Sequence, residues 1–79
     1  MWTVYKSSKI RCVFCDRAIT LLLESGAPLT VRDIATDPEA MEFFRASGHQ
    51  TVPLIFEGDT KIGGLADLAR ILKLRSERQ

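Results

Sequence analysis

The chain has 79 residues, 46% of them hydrophobic and 27% charged, and its 11 lysines and arginines nearly balance 10 aspartates and glutamates for a formal net charge of +1. That composition is ordinary for a soluble globular protein, and the length predicts one domain with its active site near the surface, because a chain this small buries only roughly 60% of its unfolded surface. The charge balance argues against nucleic-acid binding, which calls for a basic face, and no apolar run approaches the ~20 residues of a membrane span.

Met1 leads straight into an alternating segment, not into a charged region followed by an apolar one, so a cytoplasmic location is expected. Residues 2–5, Trp-Thr-Val-Tyr, read as a short strand. The period then changes. Cys15, Ala18, Ile19 and Leu22 fall at i, i+3, i+4 and i+7, with Leu23 widening the stripe, which predicts an amphipathic helix over residues 12–25 packed on a sheet and stopped by Gly26. Pro28 opens a second strand, in which Leu29, Val31 and Ile34 alternate with Thr30, Arg32 and Asp33. Strand, helix and strand of these lengths are expected to lie parallel in one sheet with a right-handed connection.

Asp37-Pro38-Glu39 has the form of a helix start, with an N-cap, a proline at the first helical position and an acid in the first turn. This second helix ends at Gly48, and its predicted buried stripe is Ala40, Met41, Phe43 and Phe44, read as core. Residues 52–56 are apolar and β-prone, Glu57-Gly58-Asp59 is a turn signal, and residues 60–62 return as a hairpin partner. Gly63-Gly64 breaks that strand. The last helix turns Leu65, Leu68, Ala69 and Leu72 inward and Arg70, Lys73 and Arg75 outward, with fraying expected over residues 76–79. The order is β-α-β-α-β-β-α, without repeat, linker or low-complexity segment.

The two cysteines, Cys12 and Cys15, have the C-x-x-C spacing beside a βαβ pattern that points to redox work, against the bland alternative of two inert thiols. A structural staple is a poor account of them, since so short a loop hardly restrains the unfolded chain. A zinc site needs four ligands and the chain adds only His49, so no metal is expected. At the mouth of the first helix, Cys12 meets free backbone N–H groups and the positive end of the dipole, both of which favour thiolate. Lys9 and Arg11 either add to that field or are simply solvated. Cys15 lies one turn further in, on the buried stripe, so Cys12 is expected to attack and Cys15 to resolve the mixed disulfide. Pro53 begins an apolar strand, either in trans or through a cis bond that turns the Val52 backbone outward; spacing does not choose between them. Gly63-Gly64 is either a plain turn or a place where a carboxylate meets backbone N–H groups, and Asp67 in the first turn also complements the helix dipole.

Cys12-Val13-Phe14-Cys15, Thr51-Val52-Pro53 and Gly63-Gly64 with Asp67-Leu68 together resemble the glutaredoxin family over nearly the whole chain. The resemblance implies an α/β, thioredoxin-like fold with a four-stranded mixed sheet of order 2-1-3-4, a cis Pro53, glutathione as co-substrate and no tightly bound cofactor. It further implies Cys12 as the glutathionylated nucleophile, Lys9 and Thr51 near the glycine carboxylate of glutathione, and Val52 paired with its backbone. Gly64 and Asp67 would hold the γ-glutamyl end, and Phe14 stands where a tyrosine is usual. Residues 4–11, leading into C-V-F-C-D, are similar to tailed-phage members, which implies a monomer in host cytoplasm that reduces disulfide proteins, ribonucleotide reductase among them.

Three departures from the family pattern stand out: Val13 replaces a proline, Gln50 a basic residue, and the tail is short. Gln50 is also similar to ribonucleotide reductase donors that draw electrons from thioredoxin reductase, but those carry a W-S-G-F-R-P-type stretch where this chain has Ile62-Gly63-Gly64-Leu65-Ala66-Asp67, which favours glutathione. A non-proline C-x-x-C is also compatible with carriage of a 2Fe–2S cluster between two subunits, each giving Cys12, with two glutathiones completing the ligands. Thioredoxin proper is disfavoured, since W-C-G-P-C is absent.

Overall fold

The period-two and helical spacings resolve, in the computed structural model, into seven elements in the predicted order: β1 (Trp2–Lys6), α1 (Val13–Glu24), β2 (Leu29–Asp33), α2 (Pro38–Ala46), β3 (Leu54–Glu57), β4 (Thr60–Gly63) and α3 (Leu65–Glu77). The structure describes residues 1–77. One four-stranded sheet runs β2-β1-β3-β4, with β1 parallel to β2 and antiparallel to β3, and β4 antiparallel to β3. The order and mixed sense are those implied by the glutaredoxin resemblance.

Because successive side chains of a strand face opposite ways, β1 divides the core in two. Trp2 and Val4 join Ala18, Leu22, Ile55 and Leu68 in the cluster under α1 and α3, while Tyr5 joins Ile34, Ala40, Phe44 and Leu54 under α2. Two turn devices set the ends of these layers. Gly26 takes a φ of 75°, which stops α1. The Asp37 carboxylate accepts the N–H groups of Glu39 and Ala40 at 3.1 and 3.2 Å and the Arg32 guanidinium at 2.8 Å.

Several predicted core residues lie outside. Met41 and Phe43 are 37% and 43% exposed, so α2 buries only Ala40 and Phe44; it is the single helix on its side of the sheet, and its covered stripe is correspondingly narrow. Phe43 instead lies over Tyr5 with ring centroids 5.2 Å apart and meets Phe56 edge-on at 5.3 Å, forming the outer layer of an aromatic stack. Leu23, Val31 and Ala69 are also exposed. Leu23 stands beside the stripe of Cys15, Ala18 and Leu22 that α1 buries, Val31 is on an edge strand, and Ala69 flanks the fully buried Leu68.

Arg75, expected to point outward, bonds back to the sheet. Its Nη1 and Nη2 donate to Glu57 Oε2 and Oε1 at 2.8 and 2.6 Å, and its guanidinium sits 5.6 Å from the Trp2 ring centroid. Ser76 and Glu77 remain helical; the rest of the expected fraying, at residues 78–79, lies outside the described residues. The hydrogen bonds and charge of Arg75 hold the Glu57 carboxyl below the usual carboxylate range. A carboxyl depressed in the folded state stabilises above its unfolded value and loses that contribution as pH falls through the folded one. Arg75→Met is therefore expected to unfold at lower urea than the parent near neutral pH, with the gap closing in acid; a gap that stays constant into acid would contradict the pair's role.

Candidate active site

The first turn of α1 positions both sulfurs. Cys12 is the N-cap, with φ −109° and ψ 91°, and its Sγ accepts the Cys15 N–H at 3.1 Å, taking the place that a serine or aspartate oxygen usually fills. Cys12 and Cys15 are joined as a disulfide with Cα atoms 5.2 Å apart, which the extended N-cap backbone permits. Their environments differ. Cys15 is fully buried beneath α1, whereas Cys12 is half-buried and lines open depressions on two sides.

The opposite wall comes from the turn into β3. The Val52-Pro53 bond is cis, which decides what spacing left open. The Val52 carbonyl oxygen lies 3.8 Å from Cys12 Sγ, a contact without a shared proton while that sulfur is in the disulfide. Pro53 is buried, and Gly64 faces it with room for a Cβ, which would stand at an ordinary 3.9 Å from the Pro53 carbonyl oxygen. The Gly64 N–H then donates to Asp67 Oδ2 at 3.1 Å, so Asp67 reaches back to cap α3, and its Oδ1 accepts Arg70 Nη2 at 3.2 Å. Cys12 thus meets the Val52-Pro53 turn, and Gly64, held to Asp67, lies beside that turn.

Phe14 and Val52 share with Cys12 a depression of about 320 Å³, completed by Ile10, Arg11 and Val13. Phe14 is 61% exposed at its rim. Thr51 and Val52 line an adjoining depression of about 400 Å³ with Ser7, Ile10 and Gln50. Lys9 lines neither of these; it is exposed, and its N–H donates locally to Ser7 Oγ at 3.3 Å. A third hollow, of about 230 Å³, sets Lys6, Arg11 and Asp16 around Cys12. The groove of about 440 Å³ between α1 and α3 meets the site at Val13 but holds neither cysteine. Among the described residues no three of His, Cys, Asp and Glu gather as a metal site.

Sequence reasoning missed two residues here. Ile10 is 58% exposed and lines both depressions that Val52 lines, and an apolar residue in a polar loop beside a C-x-x-C was the available signal. Asp33, read only as a polar residue of the second strand, accepts the Ser8 N–H at 3.0 Å across 25 positions of sequence. Nothing local announces that bond.

Residues 3–62 match the family model named Glutaredoxin. The chain belongs to the glutaredoxin family. The probable glutaredoxin of Synechocystis is 41% identical to it over 59 residues, covering 72% of this chain and 67% of that one. The solution structure of the Brucella melitensis glutaredoxin superposes with a TM-score of 0.71 at 33% identity, over 91% of this chain and 77% of that one. The Escherichia coli glutaredoxin-like protein NrdH-redoxin, described as having a thioredoxin-like activity profile, gives 0.74 at 25% identity, over 89% and 92%. Like its homologues, this glutaredoxin is a thiol–disulfide oxidoreductase, and it carries a close cysteine pair at the head of α1.

Proposed function

We propose that this glutaredoxin works as a dithiol reductase with glutathione as co-substrate. The observation that carries the reading is the asymmetry of the pair: Cys12 Sγ is reachable and takes the Cys15 N–H at the head of α1, while Cys15 is buried. In the reduced protein, the helix N-terminus and the Cys15 N–H favour a Cys12 thiolate. That thiolate attacks one sulfur of a protein disulfide or glutathione mixed disulfide, forming a new S–S bond and releasing the other sulfur as a thiolate. Cys15, deprotonated, attacks Cys12 Sγ, which closes the internal disulfide and releases the substrate's remaining thiol. Two glutathiones then return the pair to dithiol and leave as glutathione disulfide. Protein disulfides are the wider substrate class, and the phage-like approach to Cys12 favours ribonucleotide reductase among them.

Glutathione lies across the Val52 wall in this reading. The Val52 backbone pairs with its peptide, Pro53 fixes that turn, Thr51 and Lys9 meet its glycine carboxylate, and Phe14 covers its cysteinyl portion. Gly64 and Asp67 hold the γ-glutamyl end. A carboxylate has lone pairs enough for an ammonium beside the Gly64 N–H and Arg70 it already accepts. Asp67→Asn keeps an oxygen for the cap and removes the charge, so the melting temperature is expected to hold while kcat/KM for glutathione mixed disulfides falls about tenfold, as for an exposed charge-assisted contact. An unchanged kcat/KM confines Asp67 to capping and counts against the glutathione site.

One observation favours a second reading of the electron source. NrdH-redoxin matches this chain over 92% of its own length and has a thioredoxin-like activity profile. Under that reading the same two-thiol chemistry is recharged by thioredoxin reductase.

A further inference from the structure

Residues 7–11 carry Lys9, Ile10 and Arg11 past the Cys12 sulfur, and all three side chains are exposed, so nothing in the core fixes their placement. Among the described residues, Ser8 is the one residue of this segment that hydrogen-bonds to another element, its N–H donating to Asp33 Oδ1 at 3.0 Å. Asp33 itself is bonded on several sides. The same Oδ1 accepts the Ala35 N–H at 2.9 Å, its carbonyl accepts the Thr36 and Asp37 N–H groups at 3.2 and 2.9 Å, and its backbone is in register with Lys6. The Ile34 N–H adds a further bond to the Lys6 carbonyl at 2.8 Å, just before the segment begins.

We propose that Asp33 is a positioning residue for the thiol–disulfide reaction: through Ser8 it holds residues 7–11 where Arg11 and Ile10 frame the Cys12 sulfur. The proposal rests on Cys12 being the attacking thiol. The Ser8 hydroxyl first, then the Ala35 and Ser8 N–H groups, hold the Asp33 carboxyl below the usual carboxylate range, so it remains an acceptor at neutral pH. The charged groups around the Cys12 sulfur are Lys6 from β1, Arg11 from the segment and Asp16 from α1; Lys9, on the same segment, lines none of these hollows, and the Thr51-Val52 wall adds no charge. Releasing the segment removes the fixed placement of Arg11, one of the two cations that line the hollow at Cys12, and of the apolar Ile10.

The test compares Asp33→Ala, which removes the acceptor, with Asp33→Asn, which keeps one. Two quantities are read on each: the pH midpoint of Cys12 alkylation in the reduced protein, and kcat/KM for a glutathione mixed disulfide well below the melting temperature. Asp33→Ala is expected to move the midpoint upward and to lower kcat/KM roughly tenfold, the scale of a misplaced first-contact group, while Asp33→Asn stays near the parent in both. A purely structural role lowers only the melting temperature. An unmoved midpoint in Asp33→Ala, or an equal loss in Asp33→Asn, overturns the proposal. A parent profile in which Cys15 is the more acidic thiol overturns the reading beneath it, and is visible before any variant is made. If Asp33→Ala does not fold, hydrogen exchange on the parent decides: a protected Ser8 amide is expected, and exchange at the rate of free backbone contradicts the tie.

Discussion

Cys12→Ser is expected to lose disulfide reduction by more than about a thousandfold, because a serine at the N-cap keeps the helix but supplies no thiolate to attack sulfur. The cap geometry makes this a clean experiment: serine is among the preferred N-cap residues, so the Cys15 N–H keeps an acceptor and the fold is expected to survive. The partner substitution behaves differently. In Cys15→Ser the first attack still occurs, but no internal thiol remains to displace the product, so Cys12 is expected to accumulate as a mixed disulfide with glutathione or a protein target. Intact mass measurement reads this directly as one added glutathione in Cys15→Ser and none in Cys12→Ser. Retained dithiol-dependent turnover in Cys12→Ser would contradict the assignment of the two sulfurs.

Gly63→Ala is expected to be the most damaging single-methyl change near the site. Gly63 has a φ of 118°, a conformation that side-chain-bearing residues rarely adopt, and a Cβ there collides with Asp67 Oδ2. The backbone strain is worth about 1–3 kcal/mol. Displacing Asp67 also takes away the cap on the Gly64 N–H, worth about 0.5–2 kcal/mol. Since 1 kcal/mol moves the melting temperature of a domain this size by about 4–8 °C, a drop of about 10 °C or more is expected, together with weakened use of glutathione. Gly64→Ala is the control, because its Cβ meets only the Pro53 carbonyl oxygen at 3.9 Å, an ordinary contact. Equal melting temperatures for the two variants would contradict the account of Gly63.

The parts of this structure that were legible in the sequence are those set within a few neighbouring residues. Asp37-Pro38 announces a helix start because the cap is local, and the Cys15, Ala18 and Leu22 stripe announces a buried helix face. The spacing of Cys12 and Cys15 beside a βαβ pattern pointed to a close pair, and the two sulfurs are joined at the head of α1. What periodicity does not give is the width of a buried stripe, which depends on the partner: Met41, Phe43, Leu23 and Ala69 all sit at apolar-looking positions that no second layer covers. The sheet order and the cis Pro53 followed from the family resemblance and not from the spacing of residues. The long-range polar ties were invisible. Arg75 finds Glu57 across 18 positions and Ser8 finds Asp33 across 25, and in each case the sequence shows only an unremarkable charged residue.

In the proposed function, the Cys12–Cys15 pair is recharged by glutathione bound along Val52, Gly64 and Asp67. This recharging is tested most directly by following turnover of a glutathione mixed disulfide in two parallel coupled assays, one driven by glutathione with glutathione reductase and one by thioredoxin reductase without glutathione. Turnover in the first and little in the second is the predicted result; turnover sustained by thioredoxin reductase alone, with none from glutathione, would contradict it.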